Sequence, residues 1–145
     1  MMSGKRIELD GENVERGGQQ FVSGRGMFKD GYTRVHRIES HGFMSMPVKG
    51  AKALLISPND DPDQAYVIGG EHPSHRPQNI PGGGTAIYDA SGNIISMVGT
   101  KIRLVAPLFE FVGNATLQGD LNVTGNIHAT GSIVDEGGNT ANHSH

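Results

Sequence analysis

The stretch that decides the fold is Gly92–Glu136, GNIISMV-GTKIRLV-APLFEFV-GNATLQ-GDLNVT-GNIHAT-GSIVDE. A small residue opens each unit, at Gly92, Gly99, Ala106, Gly113, Gly119, Gly125 and Gly131, and Gly137 follows; the spacing is seven residues three times and then six residues four times. Internal repetition of this kind specifies the architecture before any local propensity does. Each unit is predicted to be one strand and one corner, because glycine tolerates φ > 0 at corners and Ile, Val, Leu, Phe and Thr favour pleated strands. A coiled coil is disfavoured, since glycine in a helix costs about 1 kcal/mol per unit.

Side-chain phase gives the repeat two faces. An even period of six keeps the alternation in register, so Ala115, Leu117, Leu121, Val123, Ile127, Ala129 and Ile133 share one face. The opposite face, Asn114, Gln118, Asp120, Asn122, Thr124, Asn126, His128 and Thr130, is polar. In the seven-residue section the inward pairs are expected to be Ile95/Met97, Ile102/Leu104 and Phe109/Phe111. Seven short units cannot close a core alone. Three chains around one axis, each giving one strand per turn, would bury the apolar faces and leave no lateral edge strands. The expected axial core is Leu121, Val123, Ile127 and Ile133 of a homotrimeric β-helix.

Upstream of the repeat the pattern is different. Residues 1–32 are glycine-rich and polar and are expected to be an N-terminal arm or edge strand. Short β-rich runs follow at Thr33–Ser40, Ala51–Ser57 and Gln64–Gly69, separated by turn material, so residues 33–80 are expected to form a small antiparallel barrel or sandwich. A Pro/Gly-rich link, His72–Gly84, leads to Thr85–Tyr88 and a tight turn at Asp89–Asn93, placing the spike over residues 81–145.

Composition narrows the function. The 145 residues include no cysteine, so disulfides and thiolate metal sites are excluded. The net charge of −3 is too mild to indicate a nucleic-acid or membrane partner. Ten of the twelve Lys and Arg residues lie at or before Arg76 and none follows Arg103, so the end of the repeat is acidic. No signal-peptide core and no run of 18 apolar residues is present.

The runs Gly42–Pro47 (GFMSMP), Gly50–Ala53 (GAKA), Tyr66–Gly70 (YVIGG) and Gly84–Asp89 (GTAIYD) with Gly92-Asn93, followed by the glycine repeat and a closing His143-Ser144-His145, resemble the baseplate assembly protein V family. These are central spike proteins of contractile-tailed phages of the Mu and P2 type, and the likeness covers residues 33–145. The first residues depart from a full-length Mu-type member. The resemblance implies an all-β chain: an OB-like barrel, then an intertwined trimeric β-helix with a metal-bound tip. It further implies a virion location at the tail baseplate tip, with the homotrimer, other baseplate and tail-tube proteins and the host outer membrane as partners. Its role would be mechanical, piercing that membrane during contraction, with no enzymatic activity.

The apex carries the ligand residues. His143 and His145 are two apart, so an extended chain projects both to one side, in phase with Leu121, Ile127 and Ile133. Three chains then offer six imidazoles, an octahedral set that disfavours zinc; the resemblance selects iron. Asp135 continues the same phase, and three such carboxylates would suit a hard cation such as calcium, although acidic residues at strand ends usually face water.

The remaining motifs have plainer readings. His72-x-x-His75 lies among prolines without an acidic partner and is expected to be part of a link, and His36 and His41 to serve packing or surface roles. Gly24-x-Gly26 and Gly82–Gly84 lack the helix and lysine of a phosphate loop. Phe28, Phe43 and Tyr66 are too scattered for base stacking, so no nucleic-acid partner is expected. Two other classes compete: a hexapeptide-repeat left-handed β-helix acyltransferase with His128 as general base, and a trimeric fibre or adhesin that binds surface glycan.

Overall fold

The computed structural model describes residues 1–134. The chain divides into two compact units, Met1–Phe109 and Glu110–His145.

The first unit contains a closed five-stranded barrel and a three-stranded sheet. The barrel strands are β1 (Ser3–Arg16), β2 (Gln19–Gly26), β3 (Gly31–Arg37), β4 (Lys52–Ser57) and β5 (Tyr66–Glu71), ordered β1-β2-β3-β5-β4 around the wall. All neighbours are antiparallel except β3 and β5, which run parallel through His36↔Tyr66 and Arg37↔Val67. This is an OB-like Greek-key barrel. Alternation within each strand sends Ile7, Leu9, Val22, Ala53, Leu55 and Val67 inward, with Ala51 beside them. Gly24 permits a close approach of β1: a Cβ there would stand 2.5 Å from the Glu8 carbonyl oxygen.

Residues 1–32 are therefore neither an arm nor an edge strand, since the barrel is closed. They supply β1 and β2, which pair along most of their lengths and contribute Ile7, Leu9 and Val22 to the core. The runs expected at 33–40, 51–57 and 64–69 are β3, β4 and β5. Two short 3-10 turns, Pro58–Asp60 and Pro62–Gln64, fill the turn between β4 and β5.

The sheet is a meander of β6 (Thr85–Tyr88), β7 (Ile94–Val98) and β8 (Lys101–Val105). The turn from β6 to β7 is built on Asp89, whose Oδ1 accepts from the backbone N–H of Ser91 at 2.8 Å and of Asn93 at 2.9 Å. The first two repeat units form the β7–β8 hairpin, turned at Gly99-Thr100, so the repeat opens as a meander and not as strand-and-corner.

In the second unit, residues 110–134 contain no strand, and all are exposed. A strand needs hydrogen-bonding neighbours, and one chain supplies none here. The repeat still marks the backbone: Gly113, Gly119 and Gly125 have φ of 128°, 133° and 132°, a region favouring glycine, so three successive units open with the same corner conformation.

Candidate functional site

Register places five large apolar residues of the meander in two cross-strand rows on one face. Ile87, Ile95 and Leu104 form the first row and Met97 and Ile102, with Thr85, the second. The opposite face carries Ala86, Ser96 and Arg103 in one row and Tyr88, Ile94 and Val105 in the next. Its Ala86 and Tyr88 line a cleft with Pro77, Gln78, Asn79 and Ile80 of the preceding link. That face is thus partly covered by the chain itself at Ala86 and Tyr88, although Arg103 and Val105 remain exposed, and the Ile/Leu/Met face is open: Ile87, Ile95, Met97, Ile102 and Leu104 are all exposed. Five large apolar side chains in two adjacent rows form a contiguous patch of the kind that marks an interaction surface.

The pairs expected to share a face, Ile95/Met97 and Ile102/Leu104, do so. Phe109 and Phe111 lie outside any strand and are exposed. Leu121, Val123, Ile127 and Ile133 are likewise exposed in the single chain. Asp135, His143 and His145 lie outside the described residues.

A second feature is the Ile38–Gly50 loop, strapped across one mouth of the barrel. Arg37, at the end of β3, is buried and donates to the Gly69 carbonyl (2.6 Å), Gln20 Oε1 (2.9 Å), Glu39 Oε1 (2.6 Å), Ser45 Oγ (3.0 Å) and the Ser45 carbonyl (3.2 Å). Gln20 Nε2 donates to the Ser45 carbonyl at 2.9 Å, and Asn13 Nδ2 to the Pro47 carbonyl at 2.7 Å. On its far side the loop is tied by Gly50 N–H to the Leu9 carbonyl (2.9 Å). Phe43, Met44 and Met46 are presented outward.

The remaining candidates separate cleanly. The His72 and His75 rings stack, centroids 4.1 Å apart and planes 19° from parallel, and both are half-buried. Ring lone pairs lie in the ring planes, so stacked imidazoles do not converge on one ion, and His72 Nδ1 accepts from Ser74 N–H at 3.2 Å. Among the described residues no group of three or more His, Asp or Glu side chains is placed to hold a metal. His128 is exposed, and among the described residues no hydrogen bond or ion pair to a carboxylate orients it as a base. His36 was missed as part of a group: it stands between Phe21 and Tyr66, with ring centroids 5.6 and 6.0 Å away. Only the strand register could have revealed that row.

Among the described residues no helix is long and apolar enough to cross a membrane. Residues 13–74, from the end of β1 through β5, match the family described as Bacteriophage Mu Gp45, N-terminal. The chain is also 26% identical over 133 residues to the baseplate puncturing device gp45 of Escherichia phage Mu, covering 77% of this chain and 67% of that protein. The OB-like barrel, the downstream glycine repeat and both matches agree: the chain is similar to the Mu Gp45 N-terminal family through its barrel and to a phage baseplate puncturing device over most of its length.

Proposed function

We propose that the chain is the central spike of a contractile phage tail, located at the baseplate, where a homotrimer is driven through the host outer membrane as the tail contracts. The observation that carries this is the bare apolar surface. Burying the exposed half of an Ile, Leu or Met side chain yields roughly 1 kcal/mol, so the five on the meander alone favour assembly by about 5 kcal/mol per chain. The inward residues of the six-residue section, Leu121, Val123, Ile127 and Ile133, add to the same drive, and three copies supply the strands that one chain lacks.

The action is mechanical. Closed backbone pairing and a dry interchain core would give stiffness, and the six imidazoles of His143 and His145 would hold an iron ion that pins the three C-terminal ends; Asp135 offers a second, calcium-type site. With every coordination position filled by protein, such an ion is structural. Other baseplate and tube proteins are the expected neighbours, and no enzymatic step is assigned. Immunogold labelling of tails from the phage or prophage that encodes the chain tests the location: label at the distal point of the baseplate is expected, and label confined to the sheath or capsid would refute the reading.

A further inference from the structure

The outer wall of the barrel carries an aromatic row. Phe21 on β2 is opposite His36 on β3, and His36 is opposite Tyr66 on β5. Their inward neighbours Val22, Arg37 and Val67 are buried, so the three rings face outward, side by side across three strands. They form one wall of a cleft of about 450 Å³.

The other wall is polar and held in place. Between Val22↔Val35 and Gly24↔Tyr32, β2 advances two residues and β3 three, which is a bulge in β3. Arg34, inside that bulge, takes φ of 52°, uncommon for a residue with a side chain, and its N–H donates to Oγ of buried Ser23 at 3.0 Å. Bulges of this kind re-aim side chains beside binding sites. Arg34 lines the cleft, facing the Pro62–Gln64 turn. In that turn Asp61 accepts from Asp63 N–H (2.9 Å) and from Gln64 Nε2 (3.1 Å), which leaves the Asp63 carboxylate and Gln64 Oε1 to accept from a ligand.

A row of three aromatic rings, successive planes tilted by 36° and 59°, bordered by a guanidinium, a carboxylate and an amide, matches one chemistry closely. A pyranose ring has an apolar C–H face that packs on aromatic rings and a rim of hydroxyls that both donate and accept. The geometry points to a binding site for a neutral oligosaccharide on the β2-β3-β5 wall, with Phe21, His36 and Tyr66 as the stacking floor and Arg34, Asp63 and Gln64 as hydroxyl partners. Single-stranded nucleic acid fits less well, because a groove that tracks phosphates needs a surplus of cations, whereas Arg34 is offset by Asp63. The site lies wholly within one barrel and would serve a spike or a fibre alike, so the inference stands apart from that choice.

The test is calorimetric titration of the full chain with chitohexaose, cellohexaose, maltohexaose and, as the competing class, a dT12 oligonucleotide. Saturable binding of at least one sugar is expected, with NMR shifts at the His36 and Tyr66 rings. Tyr66→Ala and Arg34→Gly should each weaken it about tenfold. Glycine accepts the φ of position 34, so Arg34→Gly keeps the fold even if Tyr66→Ala does not. Absence of binding to all three sugars, affinity unchanged in Arg34→Gly, or tighter binding of dT12 than of any sugar would overturn the assignment. So would a change in sedimentation mass in Arg34→Gly, which would make the wall a contact between copies.

Discussion

Ile95 of β7 stands directly opposite Leu104 of β8, and the two remain 41% and 48% exposed although each has a full cross-strand neighbour. Strand pairing has satisfied their backbones and left their side chains waiting for another surface.

Assembly is therefore expected to depend on that pair. The full chain should sediment as a trimer, and Ile95→Asp or Leu104→Asp should shift it to monomer, since an unpaired charge in an apolar contact costs several kcal/mol. Ser96→Asp, on the opposite face, should leave the mass unchanged. Sedimentation velocity at micromolar concentration checks all four proteins; a folded wild-type monomer would remove the basis for the trimer.

The six-residue section gives a parallel test of phase. Ile127→Asp or Leu121→Asp is expected to prevent assembly of the shaft, whereas Asn126→Asp should be tolerated. Similar losses from both faces would mean that the odd-numbered residues do not share the axis.

Metal content tests the apex. Untagged protein analysed by mass spectrometry of elements should contain roughly one iron per three chains, as six imidazoles from three chains make one octahedral site. His143→Ala/His145→Ala should remove it, and chelation should lower the thermal midpoint of the wild type alone. Anomalous density on the axis at Asp135 in calcium-grown crystals would establish the second ion.

Arg37 should be the most sensitive polar position in the barrel. Arg37→Met deletes the contacts to Gly69, Gln20, Glu39 and Ser45 and leaves Glu39, itself only 21% exposed, without its cation. Loss of about 3 kcal/mol is expected, measurable by urea denaturation, with the mouth loop becoming protease-sensitive first.

Acid should weaken the fold through three carboxylates. The Asn93 side-chain amide and the backbone N–H groups of Asn93 and Ser91 hold the Asp89 carboxyl below the usual range. Lys52 does the same for Glu8, and the Tyr32 hydroxyl and Lys5 for Asp30. A depressed folded pKa contributes stability above the unfolded value, about 4, and that stability is lost as pH falls through the folded value. Bonding to Tyr32 and Asp30 raises Lys5, whose contribution is complete below about pH 10 and lost only above it. Thermal midpoints should be flat from neutral pH to about 5 and fall below 4, less steeply in Asp89→Asn.

How far the chain could be read from its letters differed by element. Runs such as Ala51–Ser57 and Gln64–Gly69 have dense apolar alternation and became β4 and β5 almost as expected. β1 and β2 were expected only as an arm or edge strand because their buried apolar residues are just Ile7 and Leu9, set among charged residues, and Val22, between Phe21 and Ser23. The repeat announced itself through glycine spacing, and Gly113, Gly119 and Gly125 share a matching φ; residues 110–134 form no strand in the single chain. Phe21, His36 and Tyr66 are 15 and 30 residues apart and meet only through register.

The strapped loop has one more consequence. Ile38–Gly50 has no regular secondary structure, yet Arg37, Gln20, Asn13 and Leu9 hold it from both sides, so Phe43 and Met44 stand on a segment immobilised when the barrel folds. Ordering entropy that a free loop would lose at the moment of contact has already been lost. A neighbour meeting these side chains meets a surface with rigid-body behaviour, and its rate of engagement is governed by diffusion and orientation instead of by loop closure.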